Sequence, residues 1–160
     1  MKEIPLTQGK YAIVDDSNYR KLIKHKWHLD NRGYARRYSL RGGEVLLMHR
    51  VIMKTPRGKD TDHINRDKLD NRRDNLRICT RSQNKMNQLK QSNNTSGFKG
   101  VVLHKDAKKY QAQIIVDKKY IYLGLFNSLR EAALVYNDAA KKYFGQYALL
   151  NLSIEDKNTP

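Results

Sequence analysis

The reading of this chain turns on Asp62-His63-Ile64-Asn65-Arg66-Asp67, followed after Lys68 and Leu69 by Asp70-Asn71-Arg72-Arg73-Asp74-Asn75-Leu76-Arg77. The stretch is thin in hydrophobes and rich in Asp, Asn and Arg, a composition that ordinarily makes a loop. Just beyond it, Thr80 and Gln83 form a capping-box pattern. That pattern starts a helix at Arg81 and puts Asn84 in its first turn. A histidine beside a carboxylate, two further asparagines and a capped helix therefore follow one another closely in the chain.

Working outward toward the N-terminus, Lys10-Tyr11-Ala12-Ile13-Val14 reads as a short strand. Asp15-Asp16 can cap a helix in which Tyr19, Leu22, Ile23 and Lys26-Trp27 keep helical spacing. Between Gly33 and Met48, alternating segments around Arg41-Gly42-Gly43 suggest a hairpin. It leads into Met48-His49-Arg50-Val51-Ile52-Met53, an element that Pro56 and Gly58 end. In the other direction, residues 91–97 (Gln-Ser-Asn-Asn-Thr-Ser-Gly) have the composition of a linker. Three short strands are expected beyond it, over 97–102, 109–116 and 120–126, with turns at Lys105-Asp106-Ala107 and Asp117-Lys118-Lys119. A second capping box, Ser128 with Glu131, opens a helix whose Ala132, Val135, Tyr136, Ala139, Ala140 and Tyr143 recur at helical spacing as far as Gly145. No internal repeat is evident.

The composition narrows the class of partner. Thirty-two Lys and Arg against sixteen Asp and Glu give the 160-residue chain a formal charge of +16, a field that attracts polyanions. The cations are spread along the chain among tyrosines and form no long basic amphipathic helix, which favours nucleic acid over a membrane surface. No apolar run approaches the roughly 20 residues needed to cross a bilayer. Met1-Lys2-Glu3-Ile4-Pro5 lacks the apolar stretch of a signal peptide, so the expected location is the cytoplasm. Cys79 is the only cysteine, which excludes intrachain disulfides and zinc sites built from cysteine pairs.

Hydrolysis of a phosphodiester needs acceleration on the order of 10^17-fold, about 23 kcal/mol, and a basic surface alone cannot supply it. It needs a base and a stabiliser of charge. Histidine, with a pKa of about 6.5, is mostly neutral at pH 7 and suits the first role, which singles out His63. A hard divalent ion held by oxygen atoms suits the second, and Asp62 and Asn84 offer a carboxylate and an amide oxygen.

On these residues the chain resembles the HNH endonucleases of ββα-metal fold: Asp62-His63, then Asn75 twelve residues after the histidine, then Asn84 nine further on. The last position is Asn where many members have His, a departure found among phage homing endonucleases of this group. The resemblance implies that Asp62 and Asn84 bind Mg²⁺, or Mn²⁺, and that His63 is the general base. Asn75 would orient the His63 strand or ring, and cleavage would leave 5′-phosphate and 3′-hydroxyl ends. His49-Arg50 also resembles an element that precedes the motif in this group, with packing the favoured role for His49. His25, His28 and His104 have no partner spacing that points to catalysis.

The final third resembles the APETALA-type, or ethylene-response-factor, DNA-binding domain. The resemblance rests on Gly97-Phe98-Lys99-Gly100-Val101, Tyr122-Leu123-Gly124-Leu125-Phe126, Glu131-Ala132-Ala133, Tyr136-Asn137-Asp138-Ala139-Ala140 and Ala148-Leu149-Leu150-Asn151. It implies a three-stranded sheet in the major groove with a helix behind it. Period-two alternation then puts Tyr110, Ala112, Ile114, Ile121 and Leu123 against the helix. Lys109, Gln111, Gln113, Ile115, Tyr120 and Tyr122 would face double-stranded DNA, joined by Lys99 and His104. Val102, His104, Ile115 and Tyr120 stand where family members carry arginines, so the plant target sequence does not carry over.

The expected whole is an α+β protein: an N-terminal α/β region containing the ββα-metal motif, then a small three-stranded antiparallel sheet packed on one helix. Its parts are an endonuclease domain over 1–90 with the motif at about 60–90, a linker over 91–97, a DNA-binding domain over 98–152 and a tail over 153–160. The expected activity is site-directed cleavage of the homing type, in a bacterial or phage-infected cell. The rival is a non-catalytic DNA-binding regulator that keeps a decayed HNH motif, with an RNA-binding or structural protein as a third reading.

Overall fold

The computed structural model describes residues 1–39 and 43–151, and it is a mixed α+β protein. The chain divides into two compact units, Met1–Asn84 and Lys85–Pro160. The division falls inside a helix, upstream of the polar segment 91–97. That segment is itself tied down, since Asn94 Nδ2 donates to Phe98 O at 2.9 Å and Ser96 Oγ to Val101 O at 2.7 Å. Small polar side chains that would leave a linker loose serve here as local turn formers.

The first unit opens with an antiparallel pair, β1 (Lys2–Pro5) and β2 (Tyr11–Val14), and the first of these strands carried no sequence signal strong enough to be expected. Helix α1 spans Asp16–Leu22 and stops short of the expected Lys26-Trp27. Trp27 is instead buried beyond the helix end, its indole N–H donating to Leu22 O at 2.9 Å. A bulky ring with one polar atom thus shares, with the His25 N–H, a carbonyl at the helix end. A three-stranded sheet follows, β3 (His28–Leu29), β4 (Ala35–Tyr38) and β5 (Val45–Leu47), in which β4 and β5 form the expected hairpin. Of its expected turn, Arg41 and Gly42 lie outside the described residues, as does the tail over 153–160.

Residues 48–53 form helix α2 (Met48–Met53), which packs on β4 and β5 and also on the next hairpin, β6 (Asp60–His63) with β7 (Leu76–Cys79). Helix α3 (Arg81–Met86) completes a strand–strand–helix unit. The core beneath these elements consists of Ile4, Ala12, Val14, Leu22, Trp27, Ala35, Met48, Ile52 and Leu76. Through Leu76 the hairpin is anchored to the rest of the unit.

In the second unit β8 (Val101–His104), β9 (Lys109–Val116) and β10 (Lys119–Phe126) form an antiparallel meander backed by α4 (Leu129–Phe144). The first strand begins four residues later than expected, because Gly97–Gly100 form a turn. Gly100 has φ +73, and a Cβ there would lie 2.0 Å from the Tyr136 ring, so only glycine fits between strand and helix. Asp117 (φ 49) and Lys118 (φ 65) make the two-residue turn between β9 and β10, a left-handed pair that matches strand twist. Ser128 caps α4 by accepting from the N–H groups of Arg130 and Glu131. Ala112, Ile114, Ala132, Ala133, Tyr136 and Ala140 are buried between sheet and helix.

Candidate active site and candidate DNA face

Register on the β6–β7 hairpin sets the chemistry. Asp60 pairs with Cys79, Asp62 with Arg77 and His63 with Leu76. Alternation puts Asp60 and Asp62 on one face of β6, and Thr61 and His63 on the other. On the Asp62 face, Arg77 donates from Nε at 2.9 Å and from its terminal nitrogen at 2.6 Å to Asp62 Oδ2. Both side chains are nearly buried, so this pair is little weakened by solvent. Asn84 reaches the same face from α3, its Nδ2 donating to Asp60 Oδ2 at 3.1 Å. The capping box that positions it forms in both directions: Thr80 N–H donates to Gln83 Oε1 at 2.8 Å, and Gln83 N–H to Thr80 Oγ1 at 3.2 Å. Cys79 lies close by, where burial and then the charges of Asp62 and Asp60 push its thiol up to about 11, leaving it protonated and inert.

On the opposite face the His63 ring is buried among Tyr34, His49 and Asn71. Its centroid lies 5.0 Å from that of His49, nearly perpendicular, and 5.9 Å from that of Tyr34. Nε2 approaches Asn71 Oδ1 at 3.4 Å, a long contact. Burial lowers the pKa of His63 below its usual 6.5, opposed by the Asn71 contact and by Asp62, Asp67 and Asp70. For His49 burial dominates and brings the value down to about 3, with the His63 and Arg50 charges adding to the effect. Its Nδ1 is buried without a hydrogen-bond partner. The neighbouring Arg50 donates to Lys59 O at 2.8 Å and so fixes the approach to β6. The packing role expected of His49 thus becomes specific, since it forms one wall around His63.

The loop between β6 and β7 is polar and still ordered, because its asparagines and aspartates bind one another and the main chain. Asn75 Oδ1 accepts from Asn65 N–H at 3.0 Å, while its Nδ2 donates to Asn65 Oδ1 at 2.9 Å and to Asp70 O at 2.8 Å. Asp70 holds Arg72 at 2.6 and 2.7 Å. The loop is stitched to β2 by Ile13 N–H to Leu69 O and Asn71 N–H to Ile13 O, each 2.8 Å. Asn75 therefore fixes the chain as it leaves His63, and Asn71 is the asparagine that meets the ring. Sequence spacing pointed to Asn75 and missed Asn71, Asp60, Arg77 and Tyr34. Cross-strand register alone would have suggested Arg77, while Tyr34 left no signal.

The oxygen donors of Asp62 and Asn84 suit a hard divalent ion, and Asp60 adds a further carboxylate on their side of the strand. Among the described residues no three His, Cys, Asp or Glu side chains gather closely enough to hold a metal by themselves. An ion bound here would complete its shell with water and phosphate.

In the second unit the exposed face of the sheet carries the expected side chains. Ile115 pairs with Tyr120 and Gln113 with Tyr122 across β9 and β10, and Ile115, Tyr120 and Tyr122 are all more than half exposed. Gln111 Nε2 donates to Gln113 Oε1 at 3.1 Å and to the Tyr120 hydroxyl. Lys109 is exposed at the strand end, and His104, paired with it, accepts from Ala107 N–H through Nδ1 at 3.3 Å. Lys99 differs from its expected role in this conformation. Its ammonium donates to Met86 O at 2.6 Å and Gln88 O at 2.7 Å and so secures the chain entering the unit.

A strand–strand–helix hairpin with a buried histidine at its tip defines a class that comparison then specifies: the chain belongs to the HNH endonuclease family. The profile described as HNH endonuclease matches residues 47–86. The chain is 31% identical over 150 residues to an uncharacterised HNH endonuclease of Acanthamoeba polyphaga mimivirus, covering 90% of this chain and 76% of that protein. Partial matches reach APETALA2-like protein 2 of Oryza sativa subsp. indica, 44% identical over 59 residues, or 36% of this chain and 13% of that one. An ethylene-responsive transcription factor of Arabidopsis thaliana is 36% identical over 67 residues, or 41% of this chain and 16% of that one. The chain thus spans only a small part of these plant proteins. No solved structure gives a significant match. Among the described residues no helix is long and apolar enough to cross a membrane.

Proposed function

We propose that this protein is a metal-dependent DNA endonuclease of the homing type, with His63 as its base and Asp62 and Asn84 as its metal ligands. The observation that carries the reading is the β6–β7–α3 arrangement. It buries one histidine on one side of a strand and collects oxygen donors from strand and helix on the other. Burial lowers the pKa of His63 and so favours the neutral imidazole, the form that can take a proton from water. Asn75 holds the strand end that aims the ring. When bound, the divalent ion, Mg²⁺ or Mn²⁺, supplies charge stabilisation to the phosphate and to the leaving 3′ oxygen. Arg77 keeps Asp62 in one rotamer, so the carboxylate is oriented before an ion arrives.

In this reading residues 98–152 form an APETALA-type module that selects the site. The sheet face of Lys109, Gln111, Gln113, Tyr120 and Tyr122 lies toward duplex DNA, with His104 at its edge. Lys99 supports that module from within and reaches phosphate only if it leaves the Met86 and Gln88 carbonyls. The partial likeness to plant proteins named as transcription factors supports this part, as does the match between alternation and exposure on the sheet.

Supercoiled plasmid incubated with Mg²⁺ or Mn²⁺ should become nicked or linear, and EDTA should stop the reaction. Equal cleavage by wild type and His63→Ala would remove His63 from the mechanism. Gel shifts with no cutting under any divalent ion would favour the regulator with a decayed motif.

A further inference from the structure

The sheet of the second unit contains no arginine: between Val101 and Phe126 every basic residue is lysine or His104. Pairing fixes what its outer face presents. At one end the face carries His104 with Lys109; the next row across the three strands is Val102, Gln111 and Leu125, then Gln113 with Tyr122, and at the far end Ile115 with Tyr120. Val102, Ile115 and Leu125 are exposed, with Ile115 63% accessible. Lys109 stands on this face only at its end, beside His104, and the other lysines sit at the turns. Consecutive turns of a meander lie at opposite ends of its strands, so Lys105, Lys108 and Lys109 cluster at one end and Lys118 and Lys119 at the other. Phosphates on either side of a groove would meet charge, and base edges would meet neutral side chains.

From this surface we infer that the module reads A·T pairs in preference to G·C pairs, an inference that rests on the reading of the sheet as the DNA face. Guanine offers two acceptors in the major groove, N7 and O6, and is best met by a bidentate cation that the middle of this face lacks. Thymine offers a methyl group, which Ile115, Val102 and Leu125 can cover. Adenine offers a donor and an acceptor. Gln111 directs its Nε2 hydrogens to Gln113 and Tyr120, so its Oε1 is presented as the acceptor for adenine N6. Gln113, whose Oε1 is engaged by Gln111, presents its Nε2 as the donor for N7. Against guanine O6 the same Gln111 oxygen would set acceptor against acceptor.

The test uses the full chain in EDTA at about 0.2 M salt, where unspecific phosphate binding is reduced. Affinity is compared for alternating A·T and G·C duplexes of equal length, and for an A·T duplex with uracil in place of thymine. Expected are binding about tenfold tighter to A·T than to G·C, and a several-fold loss on removing the thymine methyls. Ile115→Ala should reduce the difference between thymine and uracil. Equal or tighter binding to G·C, or indifference to the methyl, overturns the inference. Ile115→Glu combined with Tyr120→Glu separates the two levels. If it leaves all duplexes bound as before, the sheet is not the DNA face. If it weakens all of them and no A·T preference existed, only the base preference falls.

Discussion

The β6–β7 hairpin and the β9–β10 hairpin are both antiparallel pairs associated with a capped helix, yet they are made of opposite materials. The first encloses a loop of asparagine, aspartate and arginine that is ordered by side chains bonding one another, and both His63 and Asp62 at its base are buried. The second closes in two left-handed residues and rests on an apolar interface with α4, and its outer face is exposed. Their arginines divide the same way, twelve of thirteen lying within residues 1–84. A site that moves protons needs titratable groups taken out of water and held by many partners. A face that meets a long polyanion needs exposure and a rigid backing.

The largest expected effect breaks one hairpin and spares the other. His63→Ala should lower the cleavage rate about 10^3-fold with DNA binding retained, measured on plasmid and by gel shift in parallel. Gly100→Ala is its counterpart, forcing a methyl into the Tyr136 ring and costing the second unit about 3 kcal/mol. Denaturant unfolding should then show a destabilised transition, while cleavage of unspecific plasmid persists. Asn75→Ala removes three hydrogen bonds from the polar loop and should destabilise the first unit by about 2 kcal/mol, with cleavage falling alongside.

Acid sharpens the contrast. His49 is held neutral in the fold with a pKa of about 3 against 6.5 when unfolded. Below pH 6.5 the unfolded chain takes up a proton that the folded chain refuses. The stability contributed by this burial is complete above pH 6.5 and is lost as pH falls toward about 3. Thermal melts across that range should show the first unit weakening on acidification, and His49→Phe should flatten the slope. The smallest effect expected is at the caps. Thr80→Ala and Ser128→Ala should each cost about 1 kcal/mol, the former loosening Asn84 and lowering metal affinity in calorimetry, the latter leaving it unchanged.

Local signals carried far in this chain. In the second unit β9, β10 and α4 were legible almost to the residue, because alternation, a two-residue turn and the Ser128 cap act within a few positions of one another, while the turn at Gly97–Gly100 delays β8. The α3 capping box was legible for the same reason. The extent of α1 was not, since helical spacing runs on to Trp27 while the indole is more stable folded back into the core.

The sequence by itself determined the spacing of Asp62, His63, Asn75 and Asn84, the α+β class and the two faces of the C-terminal sheet, all consequences of periodicity, caps and residue type. Only the tertiary structure decided which groups touch. Packing of α2 on β6 and β7 brings His49 to His63, and strand register sets Arg77 on Asp62. The loop network gives Asn71, and not Asn75, to the ring. These contacts depend on burial, which removes water as the competing partner and makes each neighbour's charge and shape count, and burial follows from the fold as a whole.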